Sequence, residues 1–478
     1  MKTVILAVNS KYVHTLLAPR YLKANAHGDI SIYETNINVR HFDVLKDLVT
    51  SNPDVIAVSV YIFNTDFVKA ILKDIRKILP SVKIISGGYE AVFDEEYMRL
   101  CDCVIRGEGD FAFGKVLSDL EKGIPVGKIV EAGYVKDLNS LESPYEDEYC
   151  RLGEEKILYM ETSRGCPFHC SYCMSACGEG VRTFSADRVF EDLERVMRYD
   201  VKQIKFVDRT FNFDTARAAK IIRHIVDMYG HRKTNFHFEM APELFDDELF
   251  DALCGAKKGL IRLETGVQTY NPDTLKKISR KADFSKIESN LKRLITESNV
   301  TIHVDLIAGL PGEDKRSFVN GFNRLMSLKP HCLQMGFLKV LKGSKLAYDN
   351  REIVYSDEAP YEILHSPALS FRDIAELKEA EEMLELYYNS GRFSRSVAMI
   401  LDRVSPYEAF SGLYRTMKKK NSDRMSLSAR QQCDIIYSYG REIFSSDSDT
   451  DALFSAVNED FAAGGNVRVW RKNKNFTD

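Results

Sequence analysis

The sequence predicts an α/β protein in three parts: a doubly wound, Rossmann-like parallel sheet, a partial (β/α)6 barrel and a mostly helical C-terminal region. Three observations predict it. From residue 1 to about 121, short apolar runs alternate strictly with stretches of helical period, the pattern of a parallel sheet wrapped by helices. The alternation resumes at 157 and supplies six further strands. Beyond 345 the strand-like runs give way to amphipathic helical patterns. The expected units are therefore 1–121, a linker at 122–156, a barrel at 157–345 and a helical domain at 346–478.

In the first unit the strands are expected at 4–8, 30–33, 55–60, 82–85 and 103–105. The helices are expected at 16–26, 39–49, 66–79, 91–99 and 110–120. Such sheets bind ligands beyond the carboxyl ends of their strands, where glycine lets a ligand approach backbone. The loops in that position open at Asn9 and Ser59, then read Ser86-Gly87-Gly88-Tyr89-Glu90 and Arg106-Gly107-Glu108-Gly109-Asp110. Taken singly, each glycine pair is a tight turn. Residues 122–156 are rich in Gly, Pro, Ser and charge, with little period, and read as an ordered linker.

The barrel opens on an apolar run at 157–160, followed by Glu161-Thr162-Ser163-Arg164-Gly165-Cys166-Pro167-Phe168-His169-Cys170-Ser171-Tyr172-Cys173. Three thiols in one short loop can converge as ligands of an iron–sulfur cluster, and three ligands leave one of four irons open to a substrate. A zinc site completed by Cys177 or His169 is the competing reading, although zinc usually pairs two cysteine knuckles and this chain has one. Strands at 203–207, 236–240, 260–264, 301–308 and 332–338 follow. Helices are expected between them at 189–199, 216–228, 247–256, 284–296 and 315–328. Chemistry in such barrels sits at the carboxyl ends of the strands, where three further motifs fall. They are Asp208-Arg209-Thr210-Phe211-Asn212, Glu264-Thr265-Gly266-Val267-Gln268 with Arg280 downstream, and Ile307-Ala308-Gly309-Leu310-Pro311-Gly312-Glu313.

Composition bounds the partners. The chain is 44% hydrophobic and 28% charged with a net charge of −4, which gives no reason to expect a broad nucleic-acid surface. No apolar run is long enough to cross a bilayer, and the first residues lack a signal-peptide pattern. Ten cysteines, three of them clustered, argue for a metal site in a reducing cytoplasm rather than a disulfide framework.

The CxxxCxxC spacing, with Tyr172 just before its last cysteine, resembles the radical S-adenosylmethionine (SAM) superfamily. The resemblance implies that Cys166, Cys170 and Cys173 hold a 4Fe–4S cluster on which SAM is cleaved to a 5′-deoxyadenosyl radical. It also implies that Tyr172, Asp208, Asn212, Glu264, Gly266, Gln268, Arg280, Ile307 and Gly309 bind SAM. Here Asp208 would meet the amino group, although Arg209 stands where relatives carry a second aspartate; the plainer alternative is that Asp208 caps the helix beginning near Thr215. Glu264 would meet the ribose hydroxyls or amino group, Arg280 the carboxylate, and the backbone from Ile307 to Gly309 the adenine.

The glycine loops ahead of the core look like the cobalamin-binding domain of one large radical SAM class, and the stretch from Asp137 to Pro144 resembles that class's connector. Asn9, Ser59, Gly87, Gly88, Gly107, Glu108 and Gly109 would then contact the corrin. The Asp-x-His-x-x-Gly motif is absent: Tyr12 stands two residues before His14. His14 therefore reads as polar surface, and the cobalt is expected to carry no protein histidine.

These resemblances imply a cobalamin-dependent radical SAM enzyme that methylates an unactivated carbon. The alternatives are a cyclase or rearrangement enzyme without methyl transfer, and a redox- or corrin-sensing binding protein. The implied partners are a small-molecule or peptide substrate and an electron donor such as flavodoxin or ferredoxin. In the C-terminal region, helices are expected at 374–388, 392–404, 429–444 and 450–463. Lys418-Lys419-Lys420-Asn421 reads as a solvated basic tip and 467–471 as a short basic strand.

Overall fold

The computed structural model describes residues 1–178, 180–349, 352–420, 427–464 and 470, and every count given is of these. The first sheet contains β1 (Lys2–Asn9), β2 (Asp29–Asn36), β3 (Val55–Ser59), β4 (Lys83–Gly87), β5 (Cys103–Gly107) and β6 (Ile129–Gly133). Its strand order is β2-β1-β3-β4-β5-β6 and every pairing is parallel. The order turns between β1 and β3, the switch point at which a doubly wound sheet opens a crevice. The central strands β1 and β3 are buried on both faces, as continuous apolar runs in a parallel sheet should be. Helices at Thr65–Ile78 and His41–Ser51 cover one face, and Gly109–Glu121 the other.

Residues 122–156 are not simply a linker. Ile129–Gly133 forms β6, which extends the first sheet past 121 by pairing with β5. It is an edge strand, alternately exposed and half-buried, so it lacks the apolar run that marks its neighbours. A helix at Asp147–Leu152 then leads into the second sheet.

That sheet comprises β7 (Ile157–Met160), β10 (Gln203–Phe206), β11 (Asn235–Glu239), β12 (Ile261–Gln268), β13 (Thr301–Ala308) and β14 (Cys332–Phe337). A two-residue hairpin, β8 (Ser163–Arg164) with β9 (Arg182–Thr183), brackets the cysteine loop. The order β14-β13-β12-β11-β10-β7, with every pairing parallel, is that of an open six-stranded barrel. Along β10 and β11 the apolar residues Ile204, Phe206, Phe236 and Phe238 join the core under the helices. The residues between them, Lys205, His237 and Glu239, take the opposite face, as the two-residue period of a strand requires.

Beyond the barrel, β15 (Val354–Tyr355) pairs antiparallel with β16 (Ile363–His365), and five helices follow. The helix at Phe371–Met383 runs on in a wider turn to Asn389. There the Asn389 side chain donates to the Leu333 carbonyl (2.8 Å) and accepts from the Leu333 amide (3.0 Å), covering the outer edge of β14. An open sheet edge exposes unpaired backbone groups, and this amide satisfies one pair of them. The helix at Pro406–Lys419 is an addition to the expected set. Lys418 and Lys419 lie in its last turn, where cations favour the helix dipole, rather than in a loop. Residues 467–469 and 471 of the expected basic strand lie outside the described residues; Trp470 is buried, its indole donating to Asp434 Oδ1 at 3.0 Å. Among the described residues no helix is long and apolar enough to cross a membrane.

Candidate active site

A cavity of about 830 Å³ opens at the carboxyl ends of β1, β3, β4 and β5 and is closed on its other side by the barrel. Asn9, Ser59, Gly87, Gly88, Gly107, Glu108 and Gly109 all line it. Two of these glycines are required there. Gly88 has φ +90°, and a Cβ on it would fall 2.4 Å from the Val60 carbonyl oxygen. Gly107 has φ +100° and would place a Cβ 2.5 Å from the Gly133 carbonyl oxygen. Tyr61, Phe63, Tyr89 and Phe93 supply an aromatic wall. Asn9 Oδ1 and Ser86 Oγ are buried without a partner. A broad, mostly apolar cavity with a few unsatisfied polar atoms fits a corrin ring fringed with amides.

His14 is not simply surface. It lines the same cavity, and its Nδ1 lies 2.8 Å from the Tyr159 hydroxyl on β7. Its backbone bridges to Ile157, so the β1 loop is stitched to the first barrel strand. Burial holds the imidazole below its usual pKa, with Lys11 and Lys205 adding to the effect.

The wall shared by the two sheets is ionic. The Arg164 guanidinium, two residues before Cys166, is bidentate to Asp110 (2.8 and 3.1 Å) and also bonds Glu161 (2.8 Å). Arg182 on the other arm of the hairpin is bidentate to Glu108 (2.8 and 2.6 Å), which also accepts from the Val135 amide. Burial opposes ionisation of Glu108, yet Arg182 and that amide hold its carboxyl below the usual range. The Glu108 carboxylate thus braces the cysteine hairpin while its loop lines the cavity. Met174, next to Cys173, also lines the cavity, so the cysteine loop forms part of its wall.

Cys170 is buried, whereas Cys166 and Cys173 are partly open. Burial pushes the Cys170 thiol up, and Arg280, with Nη1 3.8 Å from its sulfur, works in the other direction. A guanidinium there favours the thiolate that a cluster ligand must be. Thr210 Oγ1 lies 3.5 Å from Cys166 Sγ, and Tyr172 is half-buried beside Cys170. Among the described residues no three His, Cys, Asp or Glu side chains gather around one point as a single ion's ligands would. A cubane takes one thiolate per iron, so its cysteines stand further apart. The side chain of Cys177, the other zinc ligand considered, lies outside the described residues.

Two of the expected SAM contacts, Asp208 and Asn212, hydrogen-bond neighbouring loops. Asp208 is buried and accepts from the Thr162 amide (2.9 Å), the Thr162 hydroxyl (2.6 Å) and the Ser163 hydroxyl (2.5 Å). Its carboxylate anchors the start of the cysteine loop. It does not cap the next helix, because Asp214 does. Asn212 is fully buried and pairs reciprocally with the Ala241 backbone (2.9 and 2.8 Å), holding the turn after β11.

The remaining residues converge on the mouth of β12 and β13. Glu264 Oε2 lies 3.0 Å from Lys205 Nζ and 3.1 Å from His237 Nε2, leaving Oε1 as the acceptor. The His237 ring at 3.1 Å, with the Lys205 charge, holds its carboxyl down at about 2. Arg280 Nη2 donates to the Gly266 carbonyl at 2.7 Å, and its guanidinium lies over the Phe168 ring. Gln268 turns at φ 72°, and its buried Oε1 has no partner. Ile307 is half-buried, and Gly309 has φ +89° at the end of β13.

Glu243 is a candidate site residue that sequence reasoning misses. It follows β11 in a turn with no motif, and both its carboxylate oxygens are buried without a hydrogen bond. The nearest charge is Arg280, 3.9 Å away. A buried carboxylate left in this state points to a ligand it would meet.

Comparison with known proteins agrees with this geometry. Residues 3–117 match the B12 binding domain and residues 160–325 the radical SAM superfamily. Residues 349–469 match a family described as "Protein of unknown function (DUF4080)". The hopanoid C-3 methylase of Methylococcus capsulatus is 26% identical over 61% of this chain and 60% of its own length. The cobalamin-dependent radical SAM methyltransferase TokK of Streptomyces tokunonensis is 26% identical over 58% of this chain and 46% of its own. The chain spans about half the length of these curated relatives. The structure of OxsB, a cobalamin-dependent SAM radical enzyme with aqua-cobalamin bound, aligns with a TM-score of 0.63 and 14% identity. The alignment covers 98% of this chain and 84% of that one, and shows likeness of fold.

Proposed function

We propose that this chain, a radical SAM protein with an N-terminal B12-binding domain, is a cobalamin-dependent methyltransferase acting on an unactivated carbon. The observation that carries the proposal is the shared wall: the hairpin holding the cysteines is ion-paired to the loops lining the glycine-rich cavity. SAM on a reduced 4Fe–4S cluster supplies hydrogen abstraction, and methylcobalamin supplies the methyl group.

The chain's own residues bind and orient. Cys166, Cys170 and Cys173 would hold the cluster, with Arg280 favouring the buried thiolate. Glu264 Oε1 would accept from the SAM ribose hydroxyls, its carboxylate kept ionised by His237 and Lys205. Glu243 takes the place expected of Asp208 as acceptor for the SAM ammonium, which would relieve its unpaired burial. Asp208 and Asn212 position the loops around this pocket. The glycines of the first sheet let the corrin approach backbone, and the aromatic residues Tyr61, Phe63, Tyr89 and Phe93 would pack against it. A small-molecule or peptide substrate, and a low-potential donor of the flavodoxin or ferredoxin kind, complete the reading.

Anaerobic incubation of the full chain with SAM, reductant, methylcobalamin and the substrate should release both 5′-deoxyadenosine and S-adenosylhomocysteine. Deoxyadenosine alone would replace methyl transfer with a rearrangement. Release of neither product would overturn the enzyme reading.

A further inference from the structure

The chain that leaves β14 runs to Gly343 and returns at Tyr361–Ile363, forming a bracket between the two sheets. The return is zipped to the outgoing strand: the Val340 amide donates to the Tyr361 carbonyl (3.0 Å) and the Ile363 amide to the Leu338 carbonyl (2.9 Å). On one side the bracket meets the short helix Tyr89–Val92 that follows β4 and the cap residues after it. The Tyr361 hydroxyl donates to Glu90 Oε2 at 2.6 Å, and both residues are buried. Lys342 Nζ donates to Asp94 Oδ2 at 3.3 Å and lies over the Tyr361 ring. The Phe93 ring rests on Gly343, where a Cβ would clash with it. On the other side Ile363 lies against Gly309, at the turn after β13. Tyr361 itself adopts φ 57°, a conformation few non-glycine residues hold unless their surroundings impose it.

We propose that Tyr361 is a positioning residue for the corrin, and that residues 338–343, zipped to residues 361–363, fix the Gly88 turn to the SAM-side turn at Gly309. This rests on the function proposed above. It gives part of the C-terminal region a definite role, which is to hold the two cofactor loops in one register. The Tyr361–Glu90 hydrogen bond is buried and charge-assisted, so its loss should loosen the loop carrying Gly88 and Tyr89 without disturbing either sheet.

The test is Tyr361→Phe, which keeps the ring, with Lys342→Met as a second, independent cut of the same bracket. Titration of the full-length protein with hydroxocobalamin, followed by visible absorbance, should show Kd raised about tenfold in Tyr361→Phe. In the protein without corrin, amide hydrogen exchange across residues 88–94 should speed up in both variants while exchange in β1 and β12 stays unchanged. Unaltered Kd and unaltered exchange at 88–94 in both variants would overturn the proposal. If the wild-type protein binds no corrin while the variants still show accelerated exchange, the bracket is retained and the cobalamin reading sinks instead.

Discussion

Replacing Arg164 with alanine should destabilise the full chain by about 3–5 kcal/mol, a far larger loss than an ordinary ion pair would give. Surface pairs contribute roughly 0–1 kcal/mol because water already solvates both partners. Arg164 differs because its partners cannot return to water: Asp110 and Glu161 are 7% and 9% exposed, and Arg164 itself 14%. Burial already pushes the Glu161 carboxyl above its usual range against the pull of Arg164. Without the guanidinium, two carboxylates are left facing each other in a low-dielectric wall and must take up protons or separate. Separation moves the cysteine hairpin away from the β5 loop, so corrin binding should weaken with stability. Urea unfolding of the variant checks this, and a change below about 1 kcal/mol would show that the wall is held by packing instead.

The second prediction concerns pH. Glu313 closes the turn after β13, only 2% exposed, accepting from Thr269 Oγ1 at 2.6 Å while Oε2 has no partner. Burial raises its carboxyl to about 7, only partly offset by Thr269 and Ser317. The folded state therefore binds the proton more tightly than the unfolded chain does. The stability from this site is complete below about pH 4.5, falls as pH rises towards 7, and is gone above it. Glu313→Gln keeps the shape and cannot ionise. Relative to wild type it should be more stable by about 2–3 kcal/mol at pH 8, with the difference shrinking steadily towards pH 5. Unfolding free energies of both proteins between pH 5 and 8 measure it. A constant difference across that range would mean Glu313 is ionised and solvated throughout.

How much of the fold and site is legible in the sequence depends on what each residue's signal is made of. Central strands of the first sheet can be read because parallel strands covered on both faces are continuous apolar runs, as at Val55–Ser59, whereas Thr301–Ala308 is read from its alternation of buried apolar and half-buried residues. The edge strand Ile129–Gly133 carries no such run, and its pairing with β5 is visible only in three dimensions. The helix at Pro406–Lys419 carries Gly412 in its middle, where the Tyr439 ring packs against backbone, and that glycine breaks the helical pattern. For the site, motif spacing locates the loops correctly on the strand ends. It cannot tell a carboxylate with free acceptors from one hydrogen-bonded to a distant loop, as Asp208 is to Thr162 and Ser163, because both look the same in one dimension. Glu243 shows the converse: its distinction is the absence of hydrogen-bond partners in a buried turn, which no spacing encodes. The Arg164 and Tyr361 contacts span 54 and 271 residues and have no local signal at all.

Two cofactors must meet in one cleft for this chemistry to run. The most direct measurement is the iron, sulfide and cobalamin content of the full chain after anaerobic reconstitution and desalting. The expected result is about four irons and four sulfides with one corrin per chain, the iron and sulfide lost together in Cys170→Ala while the corrin stays. A protein that retains zinc in place of iron, or that takes up the cluster and excludes cobalamin at every concentration, would contradict it.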